Sequence, residues 1–223
     1  MGEYLHREGY TCLGIRLPGH ATHPIDMIRS RWTDWTASLE DGFRLLQGVS
    51  DRIVLAGLSM GGVLALLMST RLDAAGVIAM STPYELPGNA KYYPLWLVKL
   101  ASRVMPFAPK SSEPPGASWF DKDACVGQVS YPRNPVRSVA ELKTLLGRMR
   151  AALPGVTRPV LLIHSTDDRY VLPENMEKIY RGLENAAQRE KRLVSGSGHV
   201  ITRDASRIEV FKASAEFIAG LER

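Results

Sequence analysis

Only two cysteines, Cys12 and Cys125, occur among the 223 residues. Two are too few for a disulfide framework and lack metal-ligand spacing, so no metal, no cofactor and no oxidising compartment is implied. Long apolar runs are missing as well. Nothing approaches the roughly 20 consecutive apolar residues of a bilayer span, and no stable membrane insertion is expected. Residues 1–10, from Met1-Gly2-Glu3 to Glu8-Gly9-Tyr10, contain no apolar signal core, and His6 stands where an N-myristoylation signal has Ser or Thr. A cytoplasmic protein is the resulting expectation. There is no internal repeat and no low-complexity tract. One-sided charge is also lacking: 28 Lys+Arg face 23 Asp+Glu, net +5, but the basic residues are scattered, and the densest cluster, Arg189-Glu190-Lys191-Arg192, includes an acid. A nucleic-acid partner calls for a basic patch or run, so none is expected. Oligomeric state has no signature here.

What is present is ordinary globular material, 45% hydrophobic and 23% charged. The length fits one domain, or one domain with an inserted lobe, and lets the chain bury about 70% of its unfolded surface. Strand and helix signals alternate. A helix end at 2–8 stops at Gly9, and Tyr10–Leu17 reads as a strand ended by Pro18-Gly19. Ser30–Leu46 has helical periodicity, with Trp32, Trp35, Leu39, Phe43 and Leu46 on one side. Ile53–Leu58 and Gly76–Ser81 are continuous apolar runs, the mark of strands buried on both faces, and Gly61–Leu72 between them is an apolar helix. Further on come a helix at Ser138–Leu153, a strand at Pro159–His164, a helix at Pro173–Leu183, a strand at Lys191–Ser195 and a closing helix at Ala205–Leu221. This alternation predicts an α/β fold: a mostly parallel sheet with helices on both faces.

The texture changes between Pro83 and Pro135, which hold nine of the 14 prolines. Such density breaks regular structure repeatedly. A linker would be polar, yet this stretch carries Trp96, Phe107, Trp119 and Phe120. It reads as an inserted cap, 83–135, in a core made of 1–82 and 136–223, with one short amphipathic helix at Leu95–Met105.

Gly57-Leu58-Ser59-Met60-Gly61 is a G-x-S-x-G motif between a buried strand and a helix, the setting that a nucleophile elbow requires. The sharp turn lifts the Ser59 hydroxyl to the carboxyl edge of the sheet, and side chains two residues away on either side are expected to collide there. The Met60 amide and the helix N-terminus then face a developing oxyanion. A serine hydroxyl needs a base. Of five histidines, His6 reads as surface, His20 and His23 as loop residues, and His164 as a packed strand end. His199 lies in the glycine-rich loop Ser195-Gly196-Ser197-Gly198-His199 between the last strand and the last helix, at the sheet's carboxyl edge. The orienting carboxylate is Asp167 or Asp168, both of which follow the strand Pro159–His164. The order serine, acid, histidine matches that of α/β-hydrolases.

At this point the chain resembles the α/β-hydrolase superfamily, and within it the bacterial carboxylesterase and monoacylglycerol lipase group of the serine aminopeptidase S33 family. The resemblance spans nearly the whole chain: Gly9-Tyr10-Thr11-Cys12, Leu17-Pro18-Gly19-His20, Asp34-Trp35, the elbow through Gly62, Asp168-Arg169-Tyr170-Val171-Leu172-Pro173 and Gly198-His199-Val200-Ile201. In that group an aliphatic residue follows the acid by three positions and a proline by five. Val171 and Pro173 fit that count from Asp168, so the resemblance implies Asp168. It also implies a serine hydrolase cleaving short- or medium-chain acyl esters or monoacylglycerols, small-molecule substrates, with Ser59, Asp168 and His199 catalytic and Met60 in the oxyanion hole. Trp96, Leu97, Leu100 and Phe107 of the cap are expected to line an acyl pocket. A peptidase or carbon–carbon hydrolase uses the same scaffold.

The chain departs from the group at its start. Group members carry earlier strands and a His-Gly loop that supplies a second oxyanion amide, and one of those strands lies between the equivalents of Tyr10–Leu17 and Ile53–Leu58. The expectation is an incomplete N-terminus: residues 10–17 sit detached beside an open slot, or collapse onto Ile53–Leu58. A catalytically weak or inactive hydrolase-fold protein is the alternative reading.

Overall fold

The computed structural model describes residues 1–110 and 116–221. Four strands form its central sheet, all parallel: β1 (Val54–Leu58), β2 (Gly76–Met80), β5 (Val160–Ser165) and β6 (Arg189–Val194), side by side in that order. Side chains alternate across a strand, and the two cores follow that alternation. Val77 and Ala79 of β2 and Val160 and Leu162 of β5 enter one core. Ile78 and Met80, with Leu161 and Ile163, enter the other. The uninterrupted apolar runs are thus strands covered on both faces.

The first face is covered by α3 (Trp32–Gln47), α4 (Met60–Met68), α7 (Val136–Ala152) and α8 (Glu174–Gly182). Residues Val63 to Met68 of α4 are all at most 3% exposed. A helix with no polar face needs cover on every side, and α4 finds it between the sheet, α3 and α7. The apolar stripe of α3 behaves as its periodicity requires: Trp35, Leu39 and Phe43 are buried, with Trp32 and Leu46 packed at the margin. The opposite face is covered by α9 (Arg207–Leu221), joined by α1 (Gly2–Arg7).

Residues 10–17 form no strand. They lie outside the sheet, with Leu13 and Ile15 against Gly42 of α3 and still 43% and 39% exposed. The expected strand there is corrected: a strand is made by its ladder partner, and no described residue pairs with the outer side of β1, which is an edge strand. Of the two placements expected for this segment, the detached one is found. A short helix not anticipated from the sequence, α2 (Pro24–Arg29), follows, with His23 Nδ1 accepting from the Ile25 amide at 3.2 Å.

The proline-rich stretch contains α5 (Leu95–Val104), a two-stranded antiparallel ladder of β3 (Phe107–Pro109) and β4 (Arg133–Pro135), and the short α6 (Lys122–Cys125). α5 packs on α7 through Val98, Val136 and Ala140. Prolines 114 and 115 lie outside the described residues.

Candidate active site

The turn after β1 sets the geometry. Ser59 sits at φ 55°, ψ −118°, a left-handed conformation that costs a side-chain-bearing residue about 1–3 kcal/mol. Neighbouring backbone holds it there: its amide donates to Met80 O at 2.7 Å, and its carbonyl accepts from the Gly62 and Val63 amides at 3.0 and 3.2 Å. A Cβ at Gly57 would lie 2.1 Å from the Gly61 carbonyl carbon, and one at Gly62 would lie 2.0 Å from Thr82 Oγ1. A Cβ at Gly61 would meet nothing within 4 Å. The expected crowding on both sides of Ser59 is therefore corrected: the tight positions are Gly57 and Gly62, because the strand end presses on the first turn of α4, and that turn presses on Thr82. Met60 opens α4. Its amide is one of the four that a helix start leaves without intrahelical partners, at the positive end of the helix dipole.

Two further loops at the carboxyl edge of the sheet, after β5 and after β6, bring side chains to Ser59. His199 Nε2 lies 2.9 Å from Ser59 Oγ, and His199 Nδ1 lies 2.8 Å from Asp168 Oδ2. An ionised carboxylate only accepts, so Nδ1 carries the proton and Nε2 presents its lone pair to the serine hydroxyl. The ring of Tyr170 stands edge-on to His199, with centroids 5.0 Å apart.

Asp168 is 1% exposed. Its Oδ1 accepts from the Tyr170 and Val171 amides, both at 2.9 Å. Buried His164, at the end of β5, places Nε2 2.8 Å from Val171 O and 3.4 Å from Asp168 Oδ2. Burial pushes the Asp168 carboxyl up, but hydrogen bonds from His164 and His199, the charge of His199 and the Val171 amide outweigh it and hold the carboxyl well below the usual carboxylate range. Asp167, its neighbour, takes another part: its Oδ2 accepts the Gly196 amide at 2.8 Å and anchors the histidine loop. Ser59, His199 and Asp168 thus form a continuous hydrogen-bonded chain with His164 behind it.

A match to the family model described as the alpha/beta hydrolase family covers residues 3–213. The chain belongs to the alpha/beta hydrolase family. Within it, the chain is similar to esterases and lipases. It is 29% identical to the thermostable monoacylglycerol lipase of Bacillus sp. (strain H-257), over 98% of this chain and 83% of that one. It is 24% identical to the carboxylesterase of Bacillus subtilis (strain 168), over 100% of this chain and 86% of that one. Among solved structures it matches one from work on LipS and LipT, two metagenome-derived lipolytic enzymes, with a TM-score of 0.85 and 27% identity over 98% of this chain and 86% of that one.

Beside the hydrolase's elbow lies a cavity of about 350 Å³, lined by His20, Met27, Trp35 and Met60 and, from the proline-rich stretch, by Leu86, Lys110, Tyr131 and Arg133, among others. None of Trp96, Leu97, Leu100 and Phe107, the residues expected to line an acyl pocket, lines this cavity. Trp96 and Leu100 are 66% and 51% exposed, because α5 spends its buried face, through Val98, on α7. Phe107 instead stacks under the Arg133 guanidinium, 5.4 Å from its ring centroid. Part of the cavity wall comes from 86–90 and 129–135, short pieces with at most one short helical turn or a three-residue strand, in which periodicity carries no signal; α2, α3 and α7 supply other parts. Desolvation lowers the pKa of His20 on that wall, against the raising effect of hydrogen bonds at Pro18 and Leu17, which favours the neutral ring.

Two supporting residues carry no motif. His164 was legible only as a packed strand end. Asp204, 1% exposed, has both carboxylate oxygens occupied by the backbone amides of Phe120 and Asp121 and of Gly198 in the histidine loop. An acid six residues past Gly198 gives no sign of partners at 120 and 121.

Proposed function

We propose that this hydrolase cleaves carboxylic esters of short- or medium-chain acids, monoacylglycerols included, through a covalent acyl-enzyme. The observation that carries the reading is His199 bridging Ser59 Oγ at 2.9 Å and Asp168 Oδ2 at 2.8 Å. His199 Nε2 takes the Ser59 proton as Oγ attacks the ester carbonyl. Asp168, held ionised, stabilises the resulting imidazolium and fixes the ring. The negative oxygen of the tetrahedral intermediate accepts from the Met60 amide at the start of α4. His199 then protonates the departing alkoxide, and the alcohol leaves. Water repeats the sequence on the acyl-enzyme, releasing the acid and restoring Ser59. Residues 83–135 act as the cap over residues 1–82 and 136–223, closing the cavity beside Ser59.

A second reading, the same chemistry at low turnover, has one observation in its favour. β1, which delivers Ser59, is an edge strand, so no described strand on its outer side offers a second amide to the oxyanion. One lost donor costs about 100- to 1000-fold in turnover. A fluorophosphonate probe tests both readings. Covalent labelling at Ser59, abolished by Ser59→Ala and by His199→Ala, is expected. Labelling without measurable ester turnover selects the second reading, and no labelling removes both.

A further inference from the structure

The cavity beside Ser59 has an uneven lining. Much of it is apolar, from Met27, Trp35, Leu86, Val139 and Leu142. Its remaining wall carries the cations Lys110 and Arg133, and no aspartate or glutamate lines it among the described residues. Elsewhere on the molecule basic side chains sit against acids, as in Lys178–Glu85, Lys191–Glu177 and Arg207–Asp121.

Both cations are solvent-exposed, and each is held by a partner within the segment that carries it. The β3–β4 ladder sets Pro109 opposite Arg133, so Lys110 leaves the ladder beside Arg133. The Lys110 ammonium donates to Ser130 Oγ and to Tyr131 O, the latter at 3.2 Å. Phe107 lies beneath the Arg133 guanidinium, a cation–π contact made through the face of the guanidinium and not through its donor edge. Tyr131 in turn donates its hydroxyl to Gly19 O and accepts the Thr22 amide at 3.2 Å, tying this wall to the core. Ordering before binding lowers the entropic cost of ligand recognition.

We infer that the preferred substrates are esters bearing a carboxylate at the end of an apolar chain, which Lys110 and Arg133 receive while the ester group reaches Ser59. The donor count among the described residues fits a carboxylate: the ammonium has one proton beyond those given to Ser130 and Tyr131, and the guanidinium offers its edge to the second oxygen. The inference rests on the ester-hydrolase reading and deepens it.

The experiment compares p-nitrophenyl hydrogen adipate with its methyl-capped neutral counterpart on the full chain. The expected kcat/KM ratio favours the anionic ester by about tenfold at low salt, the scale of a hydrogen bond to a charged group, and shrinks as salt is raised. Exchanging both cations (Lys110→Gln with Arg133→Gln) should bring the ratio close to one. A wild-type ratio of one or less overturns the inference, as does a preference that survives the double exchange. Hydrolysis of the neutral ester in either case leaves the ester-hydrolase reading standing. If neither ester is cleaved, that reading falls, and calorimetry on the Ser59→Ala protein decides this one: monomethyl adipate should bind and dimethyl adipate should not, and equal heats overturn it.

Discussion

Asp204 fastens Phe120 and Asp121 to the loop of His199 through Gly198. Its Oδ2 accepts the Gly198 amide at 2.7 Å, while Oδ1 accepts the Phe120 and Asp121 amides at 3.0 and 2.7 Å and the Ala205 amide at 2.8 Å. Gly198 is pressed so close to the segment before Phe120 that a Cβ there would lie 2.0 Å from Ser118 O. One buried carboxylate thus ends amides from two segments far apart in the chain.

Removing it should be costly. Asp204→Ala leaves buried amides without acceptors, at about 1–3 kcal/mol for each one stranded. A lower unfolding midpoint together with a fall in ester turnover is the expected outcome. Unchanged values in both denaturant titration and activity would show that water replaces the carboxylate and that the clamp has no mechanical role.

The elbow glycines should separate. Gly57→Ala and Gly62→Ala force a Cβ onto neighbouring atoms at 2.1 and 2.0 Å, a clash of the kind that costs about 1–3 kcal/mol or more. Gly61→Ala meets open space and also removes a helix glycine, so its stability should stay equal or rise by up to about 1 kcal/mol. Thermal melts of the three variants check the order.

Ser59 itself trades stability for position. Ser59→Gly relieves a left-handed residue and is expected to raise stability by about 1 kcal/mol while abolishing fluorophosphonate labelling. A Ser59→Gly protein no more stable than Ser59→Ala would show that the turn holds no recoverable strain.

Acid should unmake the Asp168 support in a defined window. The folded-state pKa of Asp168 is depressed below its unfolded value, which is about 3.9. The stability it contributes is therefore present above that value and is lost as pH falls through the folded pKa. The stability gap between wild type and Asp168→Asn should be constant from neutral pH down to about 5 and narrow below about 4. Unfolding titrations across that range measure it. A gap that widens in acid reverses the sign and contradicts the assignment of an ionised carboxylate.

Trp96 should be dispensable for small substrates. It is 66% exposed and outside the cavity lining, so Trp96→Ser should leave kcat/KM for a soluble short-chain ester within about twofold, a surface substitution far from any buried contact. A large loss would return Trp96 to the substrate path.

The central strands, the elbow and the long helices were legible in the chain because each is a local pattern. A five-residue apolar run bounded by glycine, a stripe at Trp35, Leu39 and Phe43, and Gly57-Leu58-Ser59-Met60-Gly61 need no distant partner to be recognised. Parallel strands also deliver every following loop to one edge, so chain order alone brings Ser59, Asp168 and His199 within reach of one another. What depended on distant contact was not legible. Tyr10–Leu17 has the composition of a strand, but pairing is supplied by a neighbour, and it lies instead along α3. Gly62, not Gly61, is crowded, because Thr82 arrives from the end of β2. The α5 stripe reads equally well toward a pocket or away from one. Only the docking of Val98 on α7 turned Trp96 and Leu100 outward and left the cavity wall to Lys110, Tyr131 and Arg133.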